Sequence, residues 1–483
     1  MTDMKVASLD KKREFLSALF WASSGSFLAK LFDLATLIIL ARLLEPGTFG
    51  LIALALLIIN TLGILSDLGL GVALIQKKEI TEADNNTIFV ASPAVNIFFY
   101  VLAYLLAAPA GNFFANPEVV LIIKVLSLIL ILDSLGTVPA ALLQKTLQYN
   151  KLLFVELTAS ITYFLVAVGL AYSGAGIWSL VYGQLARYSL QAIALWLASG
   201  WQPDWHFHWG SLKSLSDFGK HIILLNLISF LLKNLDNAVI AKFFTPTDLG
   251  LYTMAYTFGN LLPQFVKMTN GKIALSIYSQ WHLDLINFKR RFLLINKSNM
   301  IFCIWATIIL ITTSGIFIPL ILGEKWLHTI LLIQFLAFFG FQRAIGSVCA
   351  PALTAMGLPQ AQREPMALNA LIFIVFIIPV IQYFGVRGVA LLATVSIIPG
   401  FLWTVYRTFK LLDIKNELLK FFYPVFIGGL SLAFWLCLRA YLTSFLFLNL
   451  FVSFFLVSLI FWGAMWIIEK DLFRQIYQLK TVS

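Results

Sequence analysis

The feature that leaves this chain fewest options is a succession of apolar stretches, each about 20 residues long. They follow one another from Phe15 to Ile468 with only short polar breaks. Twenty helical residues rise about 30 Å, the thickness of a bilayer's hydrocarbon core. Backbone N–H and C=O groups in hydrocarbon must be bonded within the protein, and a helix achieves this inside a single segment. The stretches fall near 15–41, 49–74, 87–109, 118–143, 152–172, 177–199, 219–244, 249–275, 291–318, 327–353, 365–384, 388–408, 421–441 and 445–468. The expected fold is an all-α polytopic membrane protein with about 14 transmembrane helices. Composition agrees, with 60% hydrophobic and 12% charged residues, against about 45–50% and 25% in soluble domains. A soluble enzyme, a secreted disulfide scaffold and a disordered chain are excluded.

The net charge of +11 would suggest nucleic acid in a soluble protein. Here the basic residues cluster in alternate connectors, which makes the charge a topology signal. Connectors such as Lys77–Lys78, Lys145–Lys151, Lys289–Lys297 and Arg407–Lys420 are rich in Lys and Arg, as are both chain ends. The opposite set holds only Arg42, Lys242, Lys325, Arg387 and Arg439. Basic loops stay on the cytoplasmic side, so both termini are expected there and the number of spans is expected to be even. The first apolar stretch carries Lys30 and Asp33; it is too long and too polar for a signal-peptide core and reads as the first span. Cys303, Cys349 and Cys437 all lie in apolar runs without a C-x-x-C spacing, which argues against disulfides and zinc.

No connector is long enough to hold a soluble domain. The longest, Gly200–Lys220, gathers Trp201, Trp205, Phe207 and Trp209 around His206 and His208. Aromatic residues there suggest a helix lying in the membrane interface. The His-x-His pair is read as loop, and no metal is expected.

The sequence also repeats itself. Ala41-Arg-Leu-Leu-Glu-Pro-Gly-Thr-Phe-Gly-Leu51 returns as Ala241-Lys-Phe-Phe-Thr-Pro-Thr-Asp-Leu-Gly-Leu251, pairing Pro46 with Pro246, Gly50 with Gly250 and Asn60 with Asn260. Lys30-x-x-Asp33 is echoed by Lys233-x-x-Asp236, Gly136-Thr-Val by Gly346-Ser-Val, and Gly174-Ala-Gly176 by Gly385-Val-Arg-Gly388. Two six-helix repeats follow, entering the membrane in the same direction. The expected organisation is an N-terminal lobe of helices 1–6 over residues 1–200 and an interfacial cytoplasmic linker over 201–220. A C-terminal lobe of helices 7–12 covers 221–410, and helices 13–14 with a tail cover 411–483. Parallel repeats of this kind place a transporter's substrate site between the halves. The Pro-x-x-x-Gly pattern reads as a tight turn, with Pro ending a helix and Gly relieving the bend.

Several charges fall within spans: the cations Lys30, Lys124, Arg187, Lys233, Lys267, Lys272 and Arg343, and the acids Asp33, Asp67, Asp133, Glu156 and Asp236. A charge at the bilayer centre costs about 2.5–3.5 kcal/mol on insertion scales, so such residues face water or one another. Each Lys-x-x-Asp puts both charges on one helical face. Two readings stay open for these pairs. Either they neutralise themselves for insertion, or they line a hydrated cavity that meets an anionic substrate or a coupling ion. Lys124 and Lys272 suit snorkelling, Asp67 and Glu156 suit helix ends, and Lys267 and Arg343 sit deeper. The basic excess favours an anion; phosphate or pyrophosphate would suit, and so would a carboxylate.

No phosphate-binding P-loop, His-Glu-x-x-His or Gly-x-Ser-x-Gly occurs. The chain is thus read as a transporter rather than an enzyme, with no cofactor, driven by an ion gradient, the membrane potential or its substrate's own gradient. A membrane glycan polymerase, the alternative from another class, is disfavoured by the short external loops.

Ala41–Leu51, Ser66-Asp-Leu-Gly-Leu-Gly-Val-Ala-Leu-Ile-Gln-Lys77, Gly174-Ala-Gly-Ile-Trp-Ser-Leu180 and Asn234-x-Asp236 resemble the polysaccharide-transporter family. These are the Wzx-type lipopolysaccharide and exopolysaccharide flippases of the multidrug/oligosaccharidyl-lipid/polysaccharide (MOP) exporter superfamily. The resemblance covers most of the chain and is strongest over residues 20–200. It implies a MATE-like fold of two six-helix lobes plus two helices, in the bacterial cytoplasmic (inner) membrane. It further implies alternating-access movement of undecaprenyl-pyrophosphate-linked oligosaccharide to the outer leaflet, for O-antigen, capsule or exopolysaccharide assembly. Membrane lipid and the polysaccharide polymerase and assembly proteins are the implied partners, with no nucleic acid. Joined to the charge argument, it makes Lys30, Lys233, Lys267, Arg343 and Arg187 the substrate-binding candidates. Asp33 and Asp236 are the candidates for ion coupling. A cation-coupled multidrug exporter of the same superfamily is the nearer alternative.

Overall fold

The computed structural model describes residues 28–77, 80–268, 285–356, 358–439 and 446–469. Among them the chain is helical nearly throughout and forms no strand. The basic residues Lys5, Lys11, Lys12 and Arg13, the start of the first span, Lys272 at the end of the eighth, and the tail from Lys470 lie outside the described residues.

Helix α1 covers 28–43, and α2 (Pro46–Ser66) with the short α3 (Leu70–Gln76) fills the second expected span. Next come α4 (Glu82–Phe113), the broken series α5 (Glu118–Leu126), α6 (Leu128–Ser134) and α7 (Thr137–Lys145), then α8 (Tyr149–Tyr172) and α9 (Ile177–Ser199). Further along lie α10 (Trp209–Phe243), α11 (Pro246–Gly259), α12 (261–268), α13 (Leu285–Ile321) and α14 (Thr329–Ala355). The last three are α15 (Arg363–Leu411), α16 (Leu418–Arg439) and α17 (Leu446–Ile468). Among the described residues, 7 helices are long and apolar enough to cross a membrane, or 8 when the bent series α5–α7 counts as one span.

The chain divides into two compact units, Met1–Thr253 and Met254–Ser483. In the first, α8 and α9 form a helical hairpin, and α10 packs on α2, α3 and α4. The α5–α7 series bends by 43° before Thr137. That break frees the Leu135 carbonyl, which accepts the Trp196 indole N–H at 2.9 Å; such rescue is what lets a broken helix sit in hydrocarbon. In the second unit, α16 and α17 pack on α13 over a core that includes Ile304, Ile308, Ile427 and Phe461. Trp305 donates to Ser458 and Trp435 to Ser453, each at 3.1 Å. A Lys297–Glu469 ion pair at 2.7 Å ties the end of α17 to α13.

The duplication is visible in backbone geometry. Gly176, between α8 and α9, has φ +56 and ψ −127. Gly385 breaks α15 into two arms with φ +59 and ψ −152. Both values lie where L residues are strained and glycine is not. The same turn therefore joins the fifth expected span to the sixth and the eleventh to the twelfth.

Two expectations change. The aromatic stretch at 201–208 is irregular, not helical; helix begins only at Trp209. Its backbone is held by side chains of α4, with Asp204 N–H donating to Asn86 Oδ1 and His208 N–H to Thr87 Oγ1, both at 3.0 Å. Trp201 and Trp205 pack edge-on against Phe89. Bonds to side chains take the place of an i→i−4 ladder over this stretch. The Pro-x-x-x-Gly motif also acts differently from the expectation. Pro46 opens α2 as a first-turn proline, but Gly50 is an ordinary helical residue that relieves no bend. A Cβ at Gly50 would overlap the Pro246 carbonyl, and one at Gly250 would overlap the Pro46 carbonyl. The glycines serve close helix approach.

Candidate substrate-binding site

The best-defined polar group in the first unit is assembled from α1, α8 and α9. Gly183 on α9 leaves room for the Tyr163 ring of α8, whose atoms would lie 3.1 Å from a Cβ there. One turn further along α9, Arg187 rests its guanidinium over that ring, 5.9 Å from the centroid. The same guanidinium reaches α1. Its Nη1 donates to Asp33 Oδ1 at 3.0 Å and its Nη2 to Asp33 Oδ2 at 3.5 Å. Lys30, one turn earlier on α1, donates to Asp33 Oδ2 at 3.2 Å. Side-chain exposure is 50% for Lys30 and 21% for both Asp33 and Arg187. Two cations thus share one carboxylate, and the group carries a net positive charge and is partly exposed. Guanidinium forks bind carboxylates and phosphates with the same paired geometry.

Each of the other candidates has a local setting of its own. In the second unit, Arg343 of α14 donates from Nη1 to the Tyr256 hydroxyl at 2.7 Å and lies over Phe339, 5.2 Å from the ring centroid. Lys267 is exposed near the end of α12. On α10, Lys233 is exposed while Asp236 is buried. The Asp236 carboxylate accepts the hydroxyl of the fully buried Tyr252 at 2.6 Å and the N–H of Asn237 at 2.8 Å. The two Lys-x-x-Asp motifs are therefore alike in sequence and unlike in setting: Asp33 is partly exposed and Asp236 is buried. Lys124 lies over the Tyr104 ring, 4.4 Å from its centroid.

A second polar feature of the first unit was not assembled by sequence reasoning. A cavity of about 410 Å³ is lined by Asn60, Asp67, Asn96, Asp133, Ser134 and Tyr188 among others, with no Lys or Arg among the described residues of its wall. Buried Ser66 donates to Asn96 Oδ1 at 2.7 Å in that wall. Both acids were visible as intramembrane charges. Their meeting depends on the packing of α5 and α6 against α2, which hydropathy does not reveal.

Comparison with known proteins fits this architecture. The family model described as polysaccharide biosynthesis protein matches residues 39–331, and the chain belongs to that family. It is 25% identical over 450 residues to the lipopolysaccharide biosynthesis protein WzxC of Escherichia coli (strain K12), covering 90% of this chain and 87% of that protein. Among solved structures, the lipid II flippase MurJ in an inward closed conformation superposes with a TM-score of 0.76 at 16% identity, over 94% of this chain and 99% of that one. An inward-facing multidrug resistance MATE family transporter of the MOP superfamily gives 0.60 at 16% identity, over 80% and 95%. The fold is the all-α, two-lobe fold of that superfamily, and the chain is a multi-pass membrane protein.

Proposed function

We propose that this protein is a flippase that carries undecaprenyl-pyrophosphate-linked oligosaccharide repeat units across the bacterial cytoplasmic membrane, by alternating access, for O-antigen, capsule or exopolysaccharide assembly. The observation that carries the reading is the Lys30–Asp33–Arg187 group, which places surplus positive charge and a guanidinium fork on α1 and α9, the helices of the first and sixth apolar stretches of the sequence. A pyrophosphate anion supplies the missing negative charge. Lys233, Lys267 and Arg343 extend the same positive character along the chain, and Asp33 and Asp236 are the carboxylates proposed for ion coupling. Both termini face the cytoplasm, and the polymerase and assembly proteins of the same route are the proposed partners. The work is transport, with no bond made or broken in the cargo. Family membership and the resemblance to WzxC support this choice of cargo.

The test is a paired measurement on cells with and without the gene. Lipid-linked oligosaccharides are extracted, and a membrane-impermeant probe reports which leaflet they occupy. Single repeat units trapped on the cytoplasmic face without the gene support the proposal. Units that reach the outer face but stay unpolymerised indicate a polymerase instead.

A second reading, a cation-coupled multidrug exporter, is favoured by the cavity with Asp67 and Asp133 and no basic residue among the described residues of its wall. It requires the gene to alter resistance to cationic compounds while leaving the lipid-linked pool unchanged in amount and sidedness.

A further inference from the structure

The carboxylate between Lys30 and Arg187 invites a question about what it displaces. Arg187 spends two guanidinium N–H groups on Asp33, one at 3.0 Å and one at the long distance of 3.5 Å. Those are the donors a phosphate oxygen pair would take, because carboxylate and phosphate present the same spacing to a guanidinium fork. Asp33 and an incoming phosphate therefore cannot both hold that fork. Asp33 also has a second cation available on its own helix face, Lys30 at 3.2 Å, so leaving Arg187 does not strand it as a bare charge in a membrane segment. Half of the Lys30 side chain and a fifth of each partner are exposed at the protein surface.

We infer that Asp33 is a built-in stand-in for the substrate anion: it occupies the Arg187 fork when the site is empty, and the cargo's phosphate groups displace it onto Lys30. The inference rests on the flippase reading and assigns Asp33 a role opposite in sign to a binding residue. Removing its charge strengthens anion binding, because the competitor is gone. Lys30 acts through Asp33 by holding it off the fork, so removing Lys30 weakens anion binding. Tyr163 supports the Arg187 guanidinium from its open face, 5.9 Å away, and keeps the fork aimed at α1. The exchange also makes binding and release reciprocal, since whatever favours Asp33 on Arg187 disfavours the cargo there to the same extent.

The experiment titrates inorganic pyrophosphate into the full-length protein in lipid nanodiscs. The wild type, Asp33→Asn, Asp33→Glu, Lys30→Ala and the double variant Asp33→Asn/Arg187→Ala are compared. Asp33→Asn is expected to bind pyrophosphate at least about tenfold more tightly than the wild type. Asp33→Glu, which keeps a competing carboxylate, is expected to stay near the wild-type affinity, and Lys30→Ala to bind more weakly. The double variant is expected to lose the gain. Should Asp33→Asn fail to yield monodisperse protein, Asp33→Ser carries the same expectation. Affinity for pyrophosphate that is unchanged or lower in Asp33→Asn overturns the inference, as does a gain that survives loss of Arg187. Those results are separable from the transport reading. If repeat units stay trapped in cells lacking the gene while pyrophosphate binding ignores Asp33, only the stand-in role fails. If the units cross normally without the gene and no redundant flippase is present, the flippase reading fails whatever the titrations give.

Discussion

Gly50 and Gly250 each occupy the space that the other's helix would need for a side chain. A Cβ on Gly50 would overlap the carbonyl of Pro246, one on Gly250 would overlap the carbonyl of Pro46, and both would lie about 3 Å from the opposite glycine's nitrogen. The copies of one duplicated motif thus meet each other, near-symmetrically, at the starts of α2 and α11. The obstructing atoms are backbone, which cannot swing aside as a flexible side chain can. Replacing either glycine with Ala is expected to cost about 1–3 kcal/mol by overpacking and to impair transport. Gly169→Ala in α8, where a Cβ meets nothing within 4 Å, serves as the control. Thermal unfolding of the detergent-solubilised protein checks this; equal melting of all three variants contradicts it.

Gly176 and Gly385 make a second matched pair, this time through backbone angle. With φ at +56 and +59, an Ala at either position is expected to cost about 1–3 kcal/mol in strain. Gly176→Ala has open space around it, so its loss would come from conformation alone. Comparable drops in melting temperature for Gly176→Ala and Gly385→Ala are expected, and an unaffected Gly176→Ala would show that the turn tolerates an ordinary residue.

Much of the architecture could be read from residue order because its causes are local. Apolar run length dictates where helices stand, and the offset between Pro46-x-x-x-Gly50 and Pro246-x-x-x-Gly250 betrays the duplication. The partners across helices were not legible. Lys30 and Asp33 are neighbours by helical spacing, but Arg187 lies 154 residues away from Asp33, and no periodicity links them. Likewise, the two Lys-x-x-Asp motifs look equivalent on paper. A buried tyrosine, Tyr252, separates them in fact, because it takes the Asp236 carboxylate out of solvent. The irregular course of 201–208 is hidden in the sequence for a related reason. Its hydrogen bonds come from Asn86 and Thr87 on α4, so aromatic composition alone suggested a helix.

The Lys297–Glu469 pair yields a stability prediction for the C-terminal helices. Both side chains are largely buried, 15% and 10% exposed, at 2.7 Å. Removing one partner leaves an uncompensated buried charge, so Lys297→Met is expected to cost about 3–5 kcal/mol. The double variant Lys297→Met/Glu469→Leu should recover most of the loss, since an apolar pair replaces an ionic one without desolvating charge. Unfolding midpoints of the wild type, the single variant and the double variant give the answer. A double variant no more stable than the single one would show that Glu469 contributes elsewhere.

The Lys-x-x-Asp cations separate transport from insertion. Replacing Lys30 and Lys233 together with Ala is expected to abolish delivery of repeat units to the outer leaflet while expression and membrane insertion stay normal. The impermeant-probe assay reports delivery, and immunoblotting of washed membranes reports insertion. Full delivery in the double variant would reduce both lysines to counter-ions that ease passage of α1 and α10 into the bilayer.

Arg187 is the position where charge and shape can be told apart. Lysine keeps the positive charge but offers a compact ammonium in place of a planar fork, and loses the stacking on Tyr163. If the site works by paired hydrogen bonds, Arg187→Lys forfeits one charge-assisted bond, worth about 1.5–3 kcal/mol. That corresponds to a fall of about tenfold or more in cargo affinity. Delivery at subsaturating levels of lipid-linked oligosaccharide should drop accordingly, and raising the level should restore much of it. Wild-type delivery by Arg187→Lys would mean that the site senses charge alone, and the fork seen between Arg187 and Asp33 would then be a structural pairing without a share in recognition.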